Sequence, residues 1–293
     1  MQPTRTLLFV PTNRENMIRR AHETPADVIV LDLEDGVAPD GKAAGRAAVR
    51  GAIESLKAAG KTVHVRINNV DTGMTRDDLS AAVGPGLDAI LYPKPQNAAD
   101  IRELDVLIRE QEYHREGIRP GTVGLIPMIE SARALLRCED IALASTRTIG
   151  LAVGGEDYAA DLGVARTKEG AEIAHIRNVV VNVCAAYGLL PLDGIYAPLG
   201  DEAGLRADAS YSRSLGFKGK YVIHPEQVAP VNEVFSPTPA EVENARKIVA
   251  AFDEAVGLGN GTVRVEGQMV DAPVARRARG LVAYAEAVGI KSQ

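Results

Sequence analysis

The residues best suited to chemistry gather in six short stretches, each at the end of an apolar, β-rich run. They are Asp32-Leu33-Glu34-Asp35, Arg66-Ile67-Asn68, Pro93-Lys94-Pro95, Pro127-Met128-Ile129-Glu130, Gly154-Gly155-Glu156-Asp157 and Ile223-His224-Pro225. Carboxylates dominate, and several of them brought to one half-buried site would repel each other unless a cation or protons compensated them. Oxygen donors without cysteine suit Mg2+, which takes one or two protein carboxylates and completes its octahedron with water and substrate oxygens. Glu130 and Asp157, ending consecutive runs, are the natural ligand pair, although each also suits the cap or first turn of a following helix. Arg66 follows the alternation Val-His-Val-Arg-Ile-Asn, so it can face an interior and grip a carboxylate or an enolate oxygen. A salt bridge to a nearby acid is the competing use of the same side chain. His224, ahead of a proline, reads as a hydrogen-bonded structural group rather than an acid/base.

The elements that position these groups follow from the alternation of β-rich and helical segments. Strands are expected at Thr6 to Val10, Val28 to Leu33, Val63 to Ile67, Ala89 to Tyr92, Val123 to Met128, Ile149 to Val153, Asp193 to Tyr196 and Tyr221 to Ile223. Between them, stretches such as Lys42 to Ala59, Ala98 to Glu116 and Gly170 to Tyr187 carry apolar residues at helical spacing. Eight strand–helix units read as an α/β fold of the (β/α)8 TIM-barrel type, whose active sites lie at the C-terminal ends of the strands. A doubly wound open sheet would need a Gly-rich phosphate turn after its first strand, and Pro11-Thr12-Asn13-Arg14 stands there instead. The barrel is expected over residues 1–235 and a C-terminal helical extension over 236–293. The extension begins at the break Ser236-Pro237-Thr238-Pro239. It continues through a helix from about Ala240 to Val256, a Gly-rich turn, a β-like piece at Thr262 to Val265, and a final helix after Val270-Asp271-Ala272-Pro273.

Two motif matches are rejected. Gly36 to Ala43 has the GxxxxGK spacing of a phosphate loop, but Ala43 lacks the hydroxyl that Mg2+ requires, and Glu34 and Asp35 would repel phosphates. Gly257-x-Gly259-x-Gly261 follows a helix, so it reads as a helix stop. Composition excludes more. The 293-residue chain has 33 Lys+Arg against 39 Asp+Glu, a net charge of −6, no Trp and 4% aromatics, a poor match to nucleic acid. Cys138 and Cys184 form no ligand cluster, which removes zinc and iron–sulfur readings. With no signal-like N-terminus and no apolar stretch near about 18 residues, a soluble cytoplasmic protein with no membrane partner is expected.

Six segments together resemble the citrate lyase beta-subunit-like family, which includes the malyl-CoA and citramalyl-CoA lyases. They are Arg5-Thr-Leu-Leu-Phe-Val-Pro11, Leu31-Asp-Leu-Glu-Asp-Gly-Val37, Val65-Arg-Ile-Asn68, Ile126-Pro-Met-Ile-Glu130, Gly154-Gly-Glu-Asp157 and Ile223-His-Pro225. The resemblance implies a (β/α)8 barrel that assembles as a homotrimer or dimer of trimers. It also implies Mg2+-dependent cleavage or formation of a carbon–carbon bond between a 2-oxo acid (glyoxylate or pyruvate) and an acyl-CoA. It makes Glu130 and Asp157 metal ligands, Arg66 a contact to substrate oxygens, and Glu34 and Asp35 acids near the metal's waters. Gly154, Gly155 and Glu156 are expected to line the substrate site. Gly267-Gln-Met-Val-Asp271-Ala-Pro273 matches the tail motif of the CoA lyases, in which the aspartate is the acid/base in a neighbouring subunit's site. The alternatives are a thioesterase on the same substrates, a CoA-independent 2-oxo acid aldolase, and a non-catalytic assembly subunit.

Overall fold

The computed structural model describes residues 3–290, which divide into two compact units, Thr4–Asn232 and a second formed by Pro3 with residues 233–290. The outermost residues of the expected segments, 1–2 and 291–293, lie outside the described residues.

In the first unit, eight parallel strands close in sequence order, the last pairing with the first. They are β1 (Thr6–Pro11), β2 (Val28–Asp32), β3 (Thr62–Arg66), β4 (Ala89–Tyr92), β5 (Gly124–Ile129), β6 (Gly150–Val153), β7 (Leu190–Asp193) and β8 (Gly219–Val222). The helices are α1 (Glu15–Ala21), α2 (Lys42–Ala58), α3 (Thr75–Ala82), α4 (Ala98–His114), α5 (Ala132–Leu135), α6 (Cys138–Ala142), α7 (Gly155–Asp161), α8 (Ala174–Tyr187) and α9 (Glu202–Leu215). Strands covered on both faces read as continuous apolar runs, and β2, Val-Ile-Val-Leu-Asp, is buried throughout. Helix starts follow local chemistry: Asn97 and Asp100 form a reciprocal capping box at α4.

Seven strands fall within two residues of expectation at each end. The seventh does not: it occupies Leu190–Asp193 rather than Asp193 to Tyr196. Pro191 argues against a strand in the sequence, yet it pairs in register with Leu151, and its carbonyl accepts from Lys218 N at 3.0 Å. Gly194-Ile195-Tyr196 instead leaves the strand as loop. A Cβ at Gly194 would lie 2.7 Å from the Val153 carbonyl oxygen, so only glycine allows this close crossing.

Side chains of alternate strand residues fill the interior. Leu7, Val28, Val30, Ala89, Leu91, Ile126, Met128, Ala152, Leu192 and Tyr221 form one buried cluster. Because the side-chain period is two, the next inward positions toward the strand ends are Asp32 after Val30, Glu130 after Met128, Gly154 after Ala152 and Gly194 after Leu192. The same alternation puts Arg66 two places after the buried His64. The packed core therefore delivers its last inward residues to the mouth.

Helix α10 (Val228–Phe235) spans the division between the units. The second unit holds α11 (Pro239–Gly257), an antiparallel pair of β9 (Val263–Val265) and β10 (Gln268–Val270), and α12 (Ala272–Ala287). Phe252, Val270 and Ala275 form its core. Thr238 and Glu241 cap α11 reciprocally, and Asp271 caps α12 by accepting from Val274 N at 3.1 Å. No helix among the described residues is long and apolar enough to cross a membrane.

Candidate active site

A cavity of about 350 Å3 opens at the C-terminal ends of the strands. Its apolar lining includes Phe9, Met128, Val153, Ile195 and Tyr221, and Phe9 stacks on Tyr221 with ring centroids 5.1 Å apart. Its polar lining includes Asp32, Asp35, Arg66, Glu130, Glu156 and Asp157, with Gly154 and Gly155 beside them. Of the residues expected to hold the metal, contact substrate or act in catalysis, all but Glu34 and Asp271 line this cavity. Glu34 lies within salt-bridge reach of the lining residue Arg66, whereas Asp271 belongs to the second unit and spends one carboxylate oxygen on the cap of α12.

Arg66 makes the salt bridge that its sequence allowed, without leaving the mouth. Its Nε and Nη2 donate to the two Asp32 oxygens at 2.8 and 2.6 Å, and Nη1 lies 3.0 Å from Glu34 Oε2. Its guanidinium stands 4.5 Å over the Phe9 ring. Burial alone would weaken its hold on the proton, but Asp32, Glu34 and Asp35 outweigh burial and push its pKa upward. Asp32 is itself fixed, accepting from the backbone N–H groups of Glu34 and Gly36 at 2.9 and 2.8 Å. Two-pronged geometry and a rigid partner lock the arginine in one orientation.

Glu130 is only 3% exposed. Burial, reinforced by Asp157 and Glu34, pushes its carboxyl up to about 8. It accepts from the backbone N–H of Lys94 at 2.5 Å. A Cβ on Gly154 would fall 2.3 Å from Glu130 Oε2, so the glycine is what lets this carboxyl lie against the end of β6. Burial also raises Glu34, against the opposing pull of Arg66 and Lys94. For Asp35, burial acts upward, but Lys94 and Arg66 outweigh it and hold it below the usual carboxylate range. Glu156 pairs with Arg166 at 3.1 Å.

Lys94 joins the cluster without a role evident from the sequence. Its ammonium lies 2.6 Å from Glu34 Oε1, 3.3 Å from Asp35 Oδ2 and 3.7 Å from Asp157 Oδ1. Its position between Pro93 and Pro95 at a strand end was the available signal. His224, by contrast, caps the turn after β8, its Nδ1 accepting from Glu226 N at 3.3 Å, as a structural histidine does. Lys42 of the rejected phosphate-loop match is buried and donates to the Leu33 and Glu34 carbonyls and to Asn68 Oδ1.

Five carboxylates, Asp32, Glu34, Asp35, Glu130 and Asp157, thus meet two cationic side chains, Arg66 and Lys94. That excess of hard oxygen donors, with a buried carboxyl whose proton a cation could replace, suits a divalent metal. Among the described residues no three His, Cys, Asp or Glu side chains form a metal cage. Mg2+ does not require one, since it keeps water and substrate oxygens beside one or two carboxylates.

Comparison with known proteins identifies the family. A family model described as HpcH/HpaI aldolase/citrate lyase matches residues 5–225. The citrate lyase beta subunit of Leuconostoc mesenteroides subsp. cremoris is 38% identical over 284 residues, covering 97% of this chain and 93% of the relative. An L-malyl-CoA/beta-methylmalyl-CoA lyase of Cereibacter sphaeroides is 37% identical over 307 residues, with 98% and 96% covered. Among solved structures, CitE from Mycobacterium tuberculosis in complex with magnesium, acetoacetate and coenzyme A superposes with a TM-score of 0.78 at 29% identity. That match covers 97% of this chain and 98% of the other.

Proposed function

The chain belongs to the HpcH/HpaI aldolase/citrate lyase family, and from that premise we propose that it is a Mg2+-dependent carbon–carbon lyase. Its substrate would be a 3-hydroxyacyl-CoA of the malyl-, citramalyl- or methylmalyl-CoA type, cleaved to, or formed from, a 2-oxo acid and an acyl-CoA. The observation that carries this reading is the excess of carboxylates around a barrel-mouth cavity with one nearly water-free carboxyl, Glu130. Glu130 and Asp157 are assigned as the metal ligands, with Glu34 and Asp35 set to receive hydrogen bonds from the metal's waters. Bound there, Mg2+ would supply Lewis-acid stabilisation and a template for the oxygens of a 2-oxo acid.

The protein's own groups do the rest. Arg66, immobilised by Asp32, presents a fixed positive charge to the cavity, where it can stabilise negative charge developing on a substrate oxygen. Gly154 and Gly155 add no side chain, so backbone and substrate can approach closely at the start of α7, beside Glu156. The apolar lining excludes water from one side of the cavity, which favours transfer between carbon centres over hydrolysis. Asp271 is assigned the proton transfer, on the match of Gly267–Pro273 to the tail of the CoA lyases, and it is assigned to the site of a neighbouring copy in a homotrimer. A cytoplasmic setting is supported by the two unpaired, buried cysteines.

The test is an assay of purified protein for 2-oxo acid and CoA products from each candidate thioester, with and without Mg2+. Mg2+-dependent release of 2-oxo acid with acyl-CoA intact supports the lyase. Free CoA without 2-oxo acid would make the protein a thioesterase. Asp157→Ala is expected to lose both Mg2+ binding and turnover.

A further inference from the structure

Lys94 has a backbone conformation that demands a reason. Its φ is +53°, in the left-handed region, although it is not glycine and precedes Pro95, which disfavours α-type backbone in the residue before it. This conformation sends its N–H to Glu130 Oε1 and lets its side chain reach Glu34, Asp35 and Asp157. One residue therefore touches both proposed metal ligands, Glu130 through its backbone and Asp157 through its charge. The contacts its ammonium makes in the cluster are with carboxylates, Glu34, Asp35 and Asp157.

We propose that Lys94 is a tethered competitor of the divalent cation, sharing the carboxylates that the metal needs and so holding Mg2+ affinity down. The inference rests on the reading that Glu130 and Asp157 are the ligands. Its physical content is a sign. A fixed ammonium 3.7 Å from Asp157 Oδ1 already takes part of that carboxylate's field. It also repels a dication drawn to the same oxygens. A purely supporting lysine would do the opposite, because its loss would disorder the ligands and weaken the metal. With the backbone held on Glu130, the ammonium stays within a side chain's reach of the same carboxylates when the metal arrives. The metal site then stays exchangeable instead of becoming a trap that its excess of carboxylates would otherwise make.

Titration calorimetry of the full chain with MgCl2 decides between the two. Lys94→Met, which keeps the amide arm and removes the charge, is expected to bind Mg2+ about tenfold more tightly. Lys94→Arg, which keeps a charge, should stay within about threefold of the parent. Lys94→Gln provides the same charge deletion with a polar end if the methionine variant folds poorly, as judged by circular dichroism. Unchanged or weaker Mg2+ binding in the folded charge-deletion variant overturns the proposal. The ligand reading fails separately, and visibly, if Asp157→Ala binds Mg2+ like the parent.

Discussion

Two ionic clusters lie within one barrel, and their charge balance separates structure from chemistry. On the outer face of β7 and β8, Asp193 and Lys220 meet Arg177 of α8 and Asp208 of α9, two anions against two cations, each at most 8% exposed. Asp193 accepts from Arg177 Nε and Nη2 at 2.9 Å, from Ser212 Oγ at 2.6 Å and from Lys220 at 2.6 Å. Burial would raise its pKa, but Lys220 and Arg177 outweigh burial and hold it far below the usual carboxylate range. At the mouth, burial wins instead, and Glu130 rises to about 8. The same low-dielectric setting gives opposite shifts because one cluster is neutral by its own side chains and the other is short of positive charge. A closed cluster holds elements together; an unbalanced one leaves its carboxylates short of counter-charge, which is what the proposed metal site requires.

The largest effect on stability should therefore come from the closed cluster. Asp193→Ala leaves two buried cations to share the single carboxylate of Asp208 and is expected to cost roughly 3–5 kcal/mol of unfolding free energy in a denaturant titration. Mg2+ affinity of the folded variant should change by less than about twofold. A large loss of affinity would show that the clusters are not independent, and the route would be Lys220, which also donates to the Gly194 carbonyl at the mouth, 2.7 Å away.

A third buried group shows what burial does where no counter-charge makes contact. His64 is 4% exposed, and burial pushes its imidazole down to about 4, with Asp88 acting upward too weakly to offset it. The unfolded chain then binds a proton near pH 6.5 that the folded chain refuses until about pH 4. Stability contributed by the neutral imidazole is complete above pH 6.5 and is lost as pH falls toward 4, by roughly 3 kcal/mol at most. Urea titrations across that range should show a steeper acid loss for the parent than for His64→Gln. Parallel curves would mean that the imidazole has found a partner when charged.

How much of this was legible beforehand depended on whether a feature is local. Strand alternation is local, so eight strands and the inward stripe ending at Asp32, Arg66 and Glu130 could be read from the sequence, and the strand-end rule put the acids at one mouth. The seventh strand was displaced because Pro191 argues against a ladder and Gly194-Ile195-Tyr196 argues for one, while the close crossing over Val153 that decides the matter is tertiary. The closed cluster was not legible: Arg177, Asp193, Asp208 and Lys220 lie on four elements and carry no spacing signature. Lys94 was visible at a strand end, but its left-handed backbone was not. The pairing of Arg66 with Asp32 was one of two open uses, and register in the β2–β3 ladder, Asp32 opposite Arg66, determines it.

Gly154→Ala probes the mouth without touching a charge. The added methyl would meet Glu130 Oε2 at 2.3 Å and Glu130 Cβ at 2.4 Å, so the carboxyl must move. The expected cost in stability is about 1–3 kcal/mol, below that of Asp193→Ala, yet Mg2+ binding should weaken at least tenfold. A mouth variant that loses stability and keeps the metal would reverse the contrast between the clusters and remove Glu130 from the ligand set.

The smallest effect on stability, and the sharpest separation of structure from chemistry, is expected at Asp271. Its carboxylate caps α12, so a purely structural account already explains why an acid stands there. Asparagine caps a helix as well as aspartate does, whereas alanine costs about 1 kcal/mol. Asp271→Asn should therefore unfold within about 0.5 kcal/mol of the parent, while Asp271→Ala loses about 1 kcal/mol. Asparagine keeps the cap but has neither the charge nor the basicity of aspartate, and loss of the proton transfer should lower kcat by about 10²–10⁴ with Mg2+ affinity intact. Full turnover in Asp271→Asn would reduce the residue to a cap. If turnover falls, mixing Asp271→Asn with Asp157→Ala chains tests whose site the aspartate serves. Recovery of part of the activity requires that one copy supply the metal ligands and another the proton carrier, and its absence after confirmed subunit exchange would confine Asp271 to its own chain.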